Sequence, residues 1–283
     1  MSVCPKPHFE YKAGKTYEQG TEAVKLYLPA TEGFINYNIV HSVSPKINCD
    51  TWRLGPAYLC DGSFLPTRAL TREGAEWEMA LKIQGRPDFI GGYAHGDEVY
   101  EKMVLSVDGE IVELVPTPEP IVYETLSLEI WSTGYDPLDS CTEVFKHYKK
   151  IEADGERITL TQRVSWLGDY TLGTSYMAMM APLKEWTDSY YTNVDIVKKP
   201  VELGSDIIGY SDMDTLYQCG NAGFTFGIKL CSYPLGEDGK KVFQIRDNGG
   251  IPYNKMYAPV LCKTQAKKHD EWNTVTVYRI KNS

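Results

Sequence analysis

The chain has 283 residues, 42% of them apolar and 24% charged, a balance that excludes a disordered or fibrous protein and is long enough to build a substantial core. Its 29 basic and 38 acidic residues leave a formal charge of −9, so no basic face for nucleic acid is advertised. The seven cysteines are odd in number and scattered, with no CxxC pair, which predicts thiols in a reducing compartment and neither a zinc ribbon nor a disulfide framework.

The N-terminus MSVCPKPHFE has no basic stretch followed by an apolar segment. No signal peptide is expected on that reading, and synthesis in the cytoplasm, with later release or association with a virion, is the expectation. No apolar run is long enough for membrane insertion.

In chain order, the first strand candidate is Phe34 to Val43, followed by an expected long loop over 44–75. Trp77, Met79, Leu81 and Ile83 alternate with Glu78, Ala80 and Lys82, the period of a strand with one wet face. Asp108-Gly109, Asp154-Gly155 and Asp238-Gly239 each separate alternating segments, and each predicts a hairpin, because Asp-Gly accepts the positive φ of a type I′ turn. The run VPTPEP, Val115 to Pro120, reads as a loop between strands or as a domain boundary, the first being preferred.

Strands are also expected over Thr125 to Trp131, Arg157 to Trp166, Ser175 to Met180, Gly223 to Leu230 and Thr274 to Ile280, and over Glu143 to Lys150, the best short helix candidate, where strand is preferred. A second long loop is expected over 184–222, where exposed Trp186, Tyr190 and Tyr191 are weighed as binding elements against loop packing. Within Arg157 to Trp166, Gln162 is the polar exception on the otherwise apolar face. Many short strands with turn signals and no clean helical repeat predict a single all-β domain, 1–283, an antiparallel sandwich of jelly-roll type. The 20 tyrosines, against 8 Phe and 6 Trp, suit strands with a wet face or a surface that stacks on sugars or bases.

Chemistry is most concentrated in RPDFIGGYAHGDEVYEK, Arg86 to Lys102. If Gly91 to Asp97 is extended, Tyr93, His95 and Asp97 share one face and Gly92, Ala94 and Gly96 the other, which would set a phenol, an imidazole and a carboxylate side by side for proton transfer. His41 is the second candidate, with Lys46, Asn48, Trp52 and Arg53 following it: a guanidinium can clamp a carboxylate and an indole can stack on a sugar ring. Tyr176 adds a further phenol. The blander reading of each is a hydrogen-bonded histidine in a bend, a core tryptophan and a surface arginine. No GxSxG, Walker, GxGxxG or HExxH motif occurs, and a lone HxD at His95 and Asp97 is weak evidence for a metal; no cofactor and no metal are expected.

The segments WEMALKIQGRPDFIGGYAHGDE, from Trp77, and FKHYKKIEADGERITLTQRVSWLGDYTLGTSYMAMMAP, from Phe145, resemble parts of jelly-roll polysaccharide lyases and of polysaccharide-targeting bacteriophage tail proteins. They cover about a quarter of the chain, and the strand motifs of alginate lyases are absent. The resemblance implies an oligo- or polysaccharide partner and β-elimination on a uronic acid, with Tyr93, His95 and His41 in catalysis. Arg53, Arg86, Lys82, Trp52 and Tyr176 would hold substrate, and Arg163 would add to a locally positive groove that offsets the acidic chain. A noncatalytic carbohydrate- or receptor-binding sandwich and a glycoside hydrolase using acidic residues are the competing readings.

Overall fold

The computed structural model describes residues 5–13, 22–74, 77–209, 212–234 and 242–282. The Asp238-Gly239 hairpin and Cys4 lie outside them. The protein is an all-β sandwich. Strands β1 (His8–Lys12), β2 (Ala23–Pro29), β3 (Phe34–Ser44), β4 (Cys49–Cys60) and β5 (Pro66–Ala69) follow one another as antiparallel neighbours. A single helical turn, α1 (Gly92–His95), precedes β6 (Glu98–Val107), which joins β4 through a short parallel pairing at Cys49 and Glu98. Then come β7 (Glu110–Val112), β8 (Ile121–Val122), β9 (Leu126–Asp136), β10 (Asp139–Ala153), β11 (Ile158–Trp166), β12 (Tyr170–Thr171) and β13 (Ser175–Met180). The last third holds β14 (Ser189–Thr192), β15 (Lys199–Pro200), β16 (Gly204–Ile208), β17 (Thr215–Cys219) and β18 (Phe224–Ser232). It ends with β19 (Phe243–Asp247), β20 (Lys255–Leu261), β21 (Gln265–Ala266) and β22 (Glu271–Asn282).

Among the described residues, sixteen strands form one sheet whose main order is β15-β14-β17-β18-β22-β11-β10-β9-β6-β4-β3-β2-β1-β8. A four-stranded sheet, β13-β20-β19-β16, packs with it. Period-2 alternation drives the assembly: Leu26, Ile39, Leu54, Leu128, Leu160 and Phe226 from the large sheet meet Ala178, Phe243 and Met256 from the small one in a common core. A second apolar cluster gathers Met79, Leu81, Phe145, Trp166 and Trp272.

The Asp108-Gly109 hairpin forms with two residues between Val107 and Glu110, both at positive φ, 52° and 86°. At Asp154-Gly155 the connection has four residues, since Ala153 pairs with Ile158. VPTPEP is a loop, tied to β1 by a hydrogen bond from the Tyr11 N–H to Thr117 Oγ1 at 3.1 Å. The loop expected over 44–75 instead holds the twelve-residue β4, and that expected over 184–222 holds four short strands. Trp186 is not an exposed ring: it is buried against Phe224 and donates from Nε1 to the Ala69 carbonyl at 2.7 Å.

Trp77 to Ile83 also departs from expectation. Its main chain makes isolated bridges at Ala80, Leu81 and Ile83 and is packed on both sides, so Glu78 is buried and not on a wet face. Glu78 accepts the main-chain N–H groups of Leu54 (2.6 Å) and Trp77 (3.1 Å). Gln162 is buried as its position required, and it earns that place with two hydrogen bonds. Its Oε1 accepts from the Met79 N–H at 3.2 Å and its Nε2 donates to the Met177 carbonyl at 2.7 Å, tying β11 to two segments across the core.

Candidate functional site

The side of β2, β3 and β4 turned away from the core is unusually polar for so little exposure. Lys25 and Tyr27 alternate with Val24, Leu26 and Leu28; Asn36 and Asn38 alternate with Ile35, Tyr37 and Ile39; Arg53 and Tyr58 lie opposite Leu54 and Leu59. These polar side chains line a cleft of about 680 Å³, with Phe64, Pro66 and Glu73 at its margin. That volume is in the range of small-molecule sites.

Hydrogen bonds fix the walls. Asn38 donates from Nδ2 to Asn36 Oδ1 (2.9 Å) and to the Pro56 carbonyl (3.0 Å). Arg53 donates from Nε to Ser42 Oγ (2.8 Å) and from Nη1 to the Gly55 carbonyl (3.3 Å), so the guanidinium is held rigidly although only 1% of the residue is exposed. The Tyr58 hydroxyl donates to Glu73 Oε1 at 2.8 Å; burial, then this carboxylate, raises the phenol's pKa, so Tyr58 keeps its proton. Burial lowers the pKa of Lys25, as does the neighbouring Lys12, with Glu10 opposing them.

Tyr93, on α1, does not itself line the cleft but contacts a residue that does, Arg53. The Arg53 guanidinium carbon lies 5.6 Å from the centre of its ring, a cation–π contact. The backbone that delivers Tyr93 is not the extended segment expected. Gly91, Gly92 and Gly96 adopt positive φ of 110°, 71° and 81°, and Asp97 follows at 53°, so the chain turns once as α1. A Cβ on Gly96 would lie 2.0 Å from the Ile47 carbonyl oxygen, so no larger residue fits. Tyr93, His95 and Asp97 therefore do not share a strand face.

The other anticipated residues are dispersed. His95 contacts Asp88 through Nδ1 at 3.1 Å and packs on Phe89, with ring centres 4.6 Å apart. His41 stands on the opposite face of β3 from the Asn36 and Asn38 wall, stacked on buried Trp52 at 4.8 Å and 4°. Its two nitrogens meet Glu22 Oε2 at 2.6 Å and Asp50 Oδ1 at 2.7 Å, and Tyr11 donates to the other oxygen of Glu22 at 2.7 Å. With a carboxylate at each nitrogen, the imidazole is held as a clasp between strand ends and has no nitrogen left for a substrate. Arg86 pairs with Asp136 at 2.6 Å, Lys82 donates to the Pro87 carbonyl at 2.7 Å, and Arg163 lies over Tyr148. Tyr176 is buried beside Tyr257 and Phe89. Of the four cations expected to make one positive groove, Arg53 alone lines the cleft.

Lys25, Asn36, Asn38, Tyr58 and Glu73 escaped the sequence reading. Asn36 and Asn38 did carry a signal: two amides at period 2 inside the otherwise apolar FINYNIV. Among the described residues no group of three or more His, Cys, Asp or Glu side chains is arranged to hold a metal ion, and no helix is long and apolar enough to cross a membrane. Six described cysteines are free thiols.

No family model matches the sequence, and no curated protein is significantly similar to it. Solved structures are similar to it in fold to differing degrees. The galactosidase domain of an α-galactosidase-sucrose kinase, AgaSK, superposes with a TM-score of 0.52 at 10% identity, over 91% of this chain and 40% of that one. The α-galactosidase AgaA from Geobacillus stearothermophilus gives 0.46 at 14% identity, over 98% and 41%. Heparinase III gives 0.48 at 8% identity, over 96% and 36%. The chain thus spans about two-fifths of the length of these structures, and at 10% identity the likeness to the galactosidase domain is one of fold.

Proposed function

We propose that the protein is carbohydrate-active and that the cleft on β2, β3 and β4 binds a carboxylated sugar, which it cleaves by β-elimination. The observation that carries this reading is the meeting of Arg53 and Tyr93: a buried, hydrogen-bonded cation at the cleft wall with a phenol against it. The sandwich is shared with a galactosidase domain, which agrees with a saccharide ligand.

Elimination from a uronic acid needs three things at one place. A cation or amide neutralises the carboxylate and so acidifies the proton at C5; here Arg53 takes that part, with the Asn38 amide beside it on the wall. A base removes the C5 proton, the part of Tyr93. The electron pair of that C–H bond becomes the C4–C5 double bond, the C4–O glycosidic bond breaks, and the leaving oxygen takes a proton from an acid. Tyr58, which keeps its proton, suits the last step. His41 and His95, engaged with Glu22, Asp50 and Asp88, support strand ends and the α1 turn and take no part in proton transfer.

The test is incubation with polygalacturonate, alginate and glucuronan while ultraviolet absorbance is followed. A rise from the conjugated unsaturated product supports elimination. New reducing ends without absorbance would establish a hydrolase, and binding without either product a noncatalytic module.

A further inference from the structure

A second polar groove opens at the other end of the large sheet. Cross-strand pairing sets Tyr191 of β14 opposite Tyr217 of β17, Tyr217 opposite Gly227 of β18, and Gly227 opposite Arg279 of β22, one row across four strands. The two tyrosine rings stack with centres 4.7 Å apart and planes within 16°. Tyr217 leans over Gly227, where a Cβ would come within 3.0 Å of two ring carbons. The glycine keeps the floor low, and the space between the rings and Arg279 is a groove of about 370 Å³, with Lys281 beside it in the next row on the same face.

Charge gives the groove a sign. Lys281 is exposed, and Lys198 lies close enough to Cys219, in that same row, to lower the thiol's pKa, while burial, the dominant effect, and Asp188 raise it. Of the carboxylates nearby, Glu156 is paired with Arg279 at 2.6 Å, Asp195 with Lys199 at 2.8 Å and Asp214 with Lys229 at 3.3 Å. Glu156 is well exposed, so that ion pair is weak and Arg279 can exchange it for a ligand anion at little cost. In a chain of net charge −9, cations flanking stacked phenol rings are complementary to an anion with an apolar face.

We propose that this groove is an accessory binding site for an acidic oligosaccharide. The C–H face of a pyranose ring lies on the tyrosines, and its carboxylate or sulfate is taken by Arg279 and Lys281. The site is independent of the cleft at Arg53 and requires no catalysis there.

Native-gel affinity electrophoresis of the full chain in polygalacturonate, alginate or chondroitin sulfate, with hydroxyethyl cellulose as the neutral comparison, tests it. At least one acidic polymer should retard the protein and the neutral one should not. Tyr217→Ala and Gly227→Val should each weaken that retardation on the order of tenfold in apparent Kd. Lys281→Glu, an exposed substitution that leaves the fold alone, should weaken it too, while Leu138→Ser, an exposed substitution in the β9–β10 turn outside the groove, should migrate close to wild type. Retardation by none of the acidic polymers, equal retardation by the neutral one, or wild-type migration of all three groove variants would overturn the proposal.

Discussion

Glu98 accepts a hydrogen bond from His147 Nδ1 at 2.9 Å in a part of the interior where both side chains are almost wholly enclosed. Ser132 Oγ donates to the same carboxylate oxygen at 2.6 Å, and the Lys149 ammonium stands 3.7 Å from it while donating to the Trp52 carbonyl at 2.7 Å. Burial alone would raise the pKa of Glu98; the Lys149 charge and the donors overcome it and hold the carboxyl well below the usual range. Lys149→Met should therefore destabilise the protein by about 3 kcal/mol, since it strands a buried carboxylate, and the Lys149→Met/Glu98→Gln double variant should recover part of that loss. Urea unfolding of the wild type, the two single variants and the double variant measures it; additive losses would show that the two groups do not interact.

The same network fixes the acid limb of stability. His147 is held neutral because burial lowers its pKa against the pull of Glu98, whereas an unfolded imidazole takes a proton below about pH 6.5. Its contribution is thus lost as pH falls below that value. Glu98, depressed in the fold, contributes fully above about pH 4.3 and loses that contribution as pH drops further. Glu78 works in the other direction: burial raises its pKa, so its contribution is lost as pH rises through about 4.3 towards its folded value. Stability should fall from about pH 6.5 downward, partly offset by Glu78, and steeply below about 4.3. In urea titrations across that range, Glu98→Gln should flatten the lower limb; an unchanged slope below about pH 4.3 would refute the assignment.

Gly134 offers a sharper packing test. It pairs across strands with Phe145, and a Cβ there would lie 2.3 Å from the fully buried phenyl ring. The ring is fully buried, so Gly134→Ala should cost about 2 kcal/mol through overpacking, although in a strand interior alanine is ordinarily better tolerated than glycine. A denaturation midpoint equal to wild type would mean that the ring has room to move.

The strands were legible where one face is buried and the other wet. Ile158 to Trp166 alternates cleanly, and the buried Gln162 stood out as the one residue that had to find partners, whereas Phe34 to Ser42 is buried on both faces. Trp77 to Ile83 misled because its alternation of polar and apolar residues is the same whether a polar side chain faces water or, like Glu78, is enclosed and paid by main-chain donors. The α1 turn was hidden for another reason. Glycines permit extended and left-handed backbone about equally, and the choice is made by the distant Ile47 carbonyl against Gly96, which local periodicity cannot report. Arg53 and Tyr93 were each singled out by chemistry, yet their meeting depends on that turn.

That meeting carries the last prediction. If Tyr93 removes the C5 proton while Arg53 neutralises the carboxylate, the two substitutions should fail differently. Tyr93→Phe keeps the ring over the guanidinium and removes only the hydroxyl, so kcat should fall by a factor on the order of 10² to 10⁴ with KM nearly unchanged. Arg53→Lys keeps a charge but loses the fixed fork that bonds Ser42 and the Gly55 carbonyl, so both kcat and KM should suffer. His95→Ala, outside the cleft, should leave turnover within a few-fold of wild type, since His95 contacts Asp88 and Phe89 and not the Arg53 wall. The assay is the initial rate of unsaturated product on whichever uronic-acid polymer proves to be a substrate. A Tyr93→Phe enzyme with wild-type kcat, or a His95→Ala enzyme that is inactive yet folded, would move the chemistry away from the Arg53–Tyr93 pair.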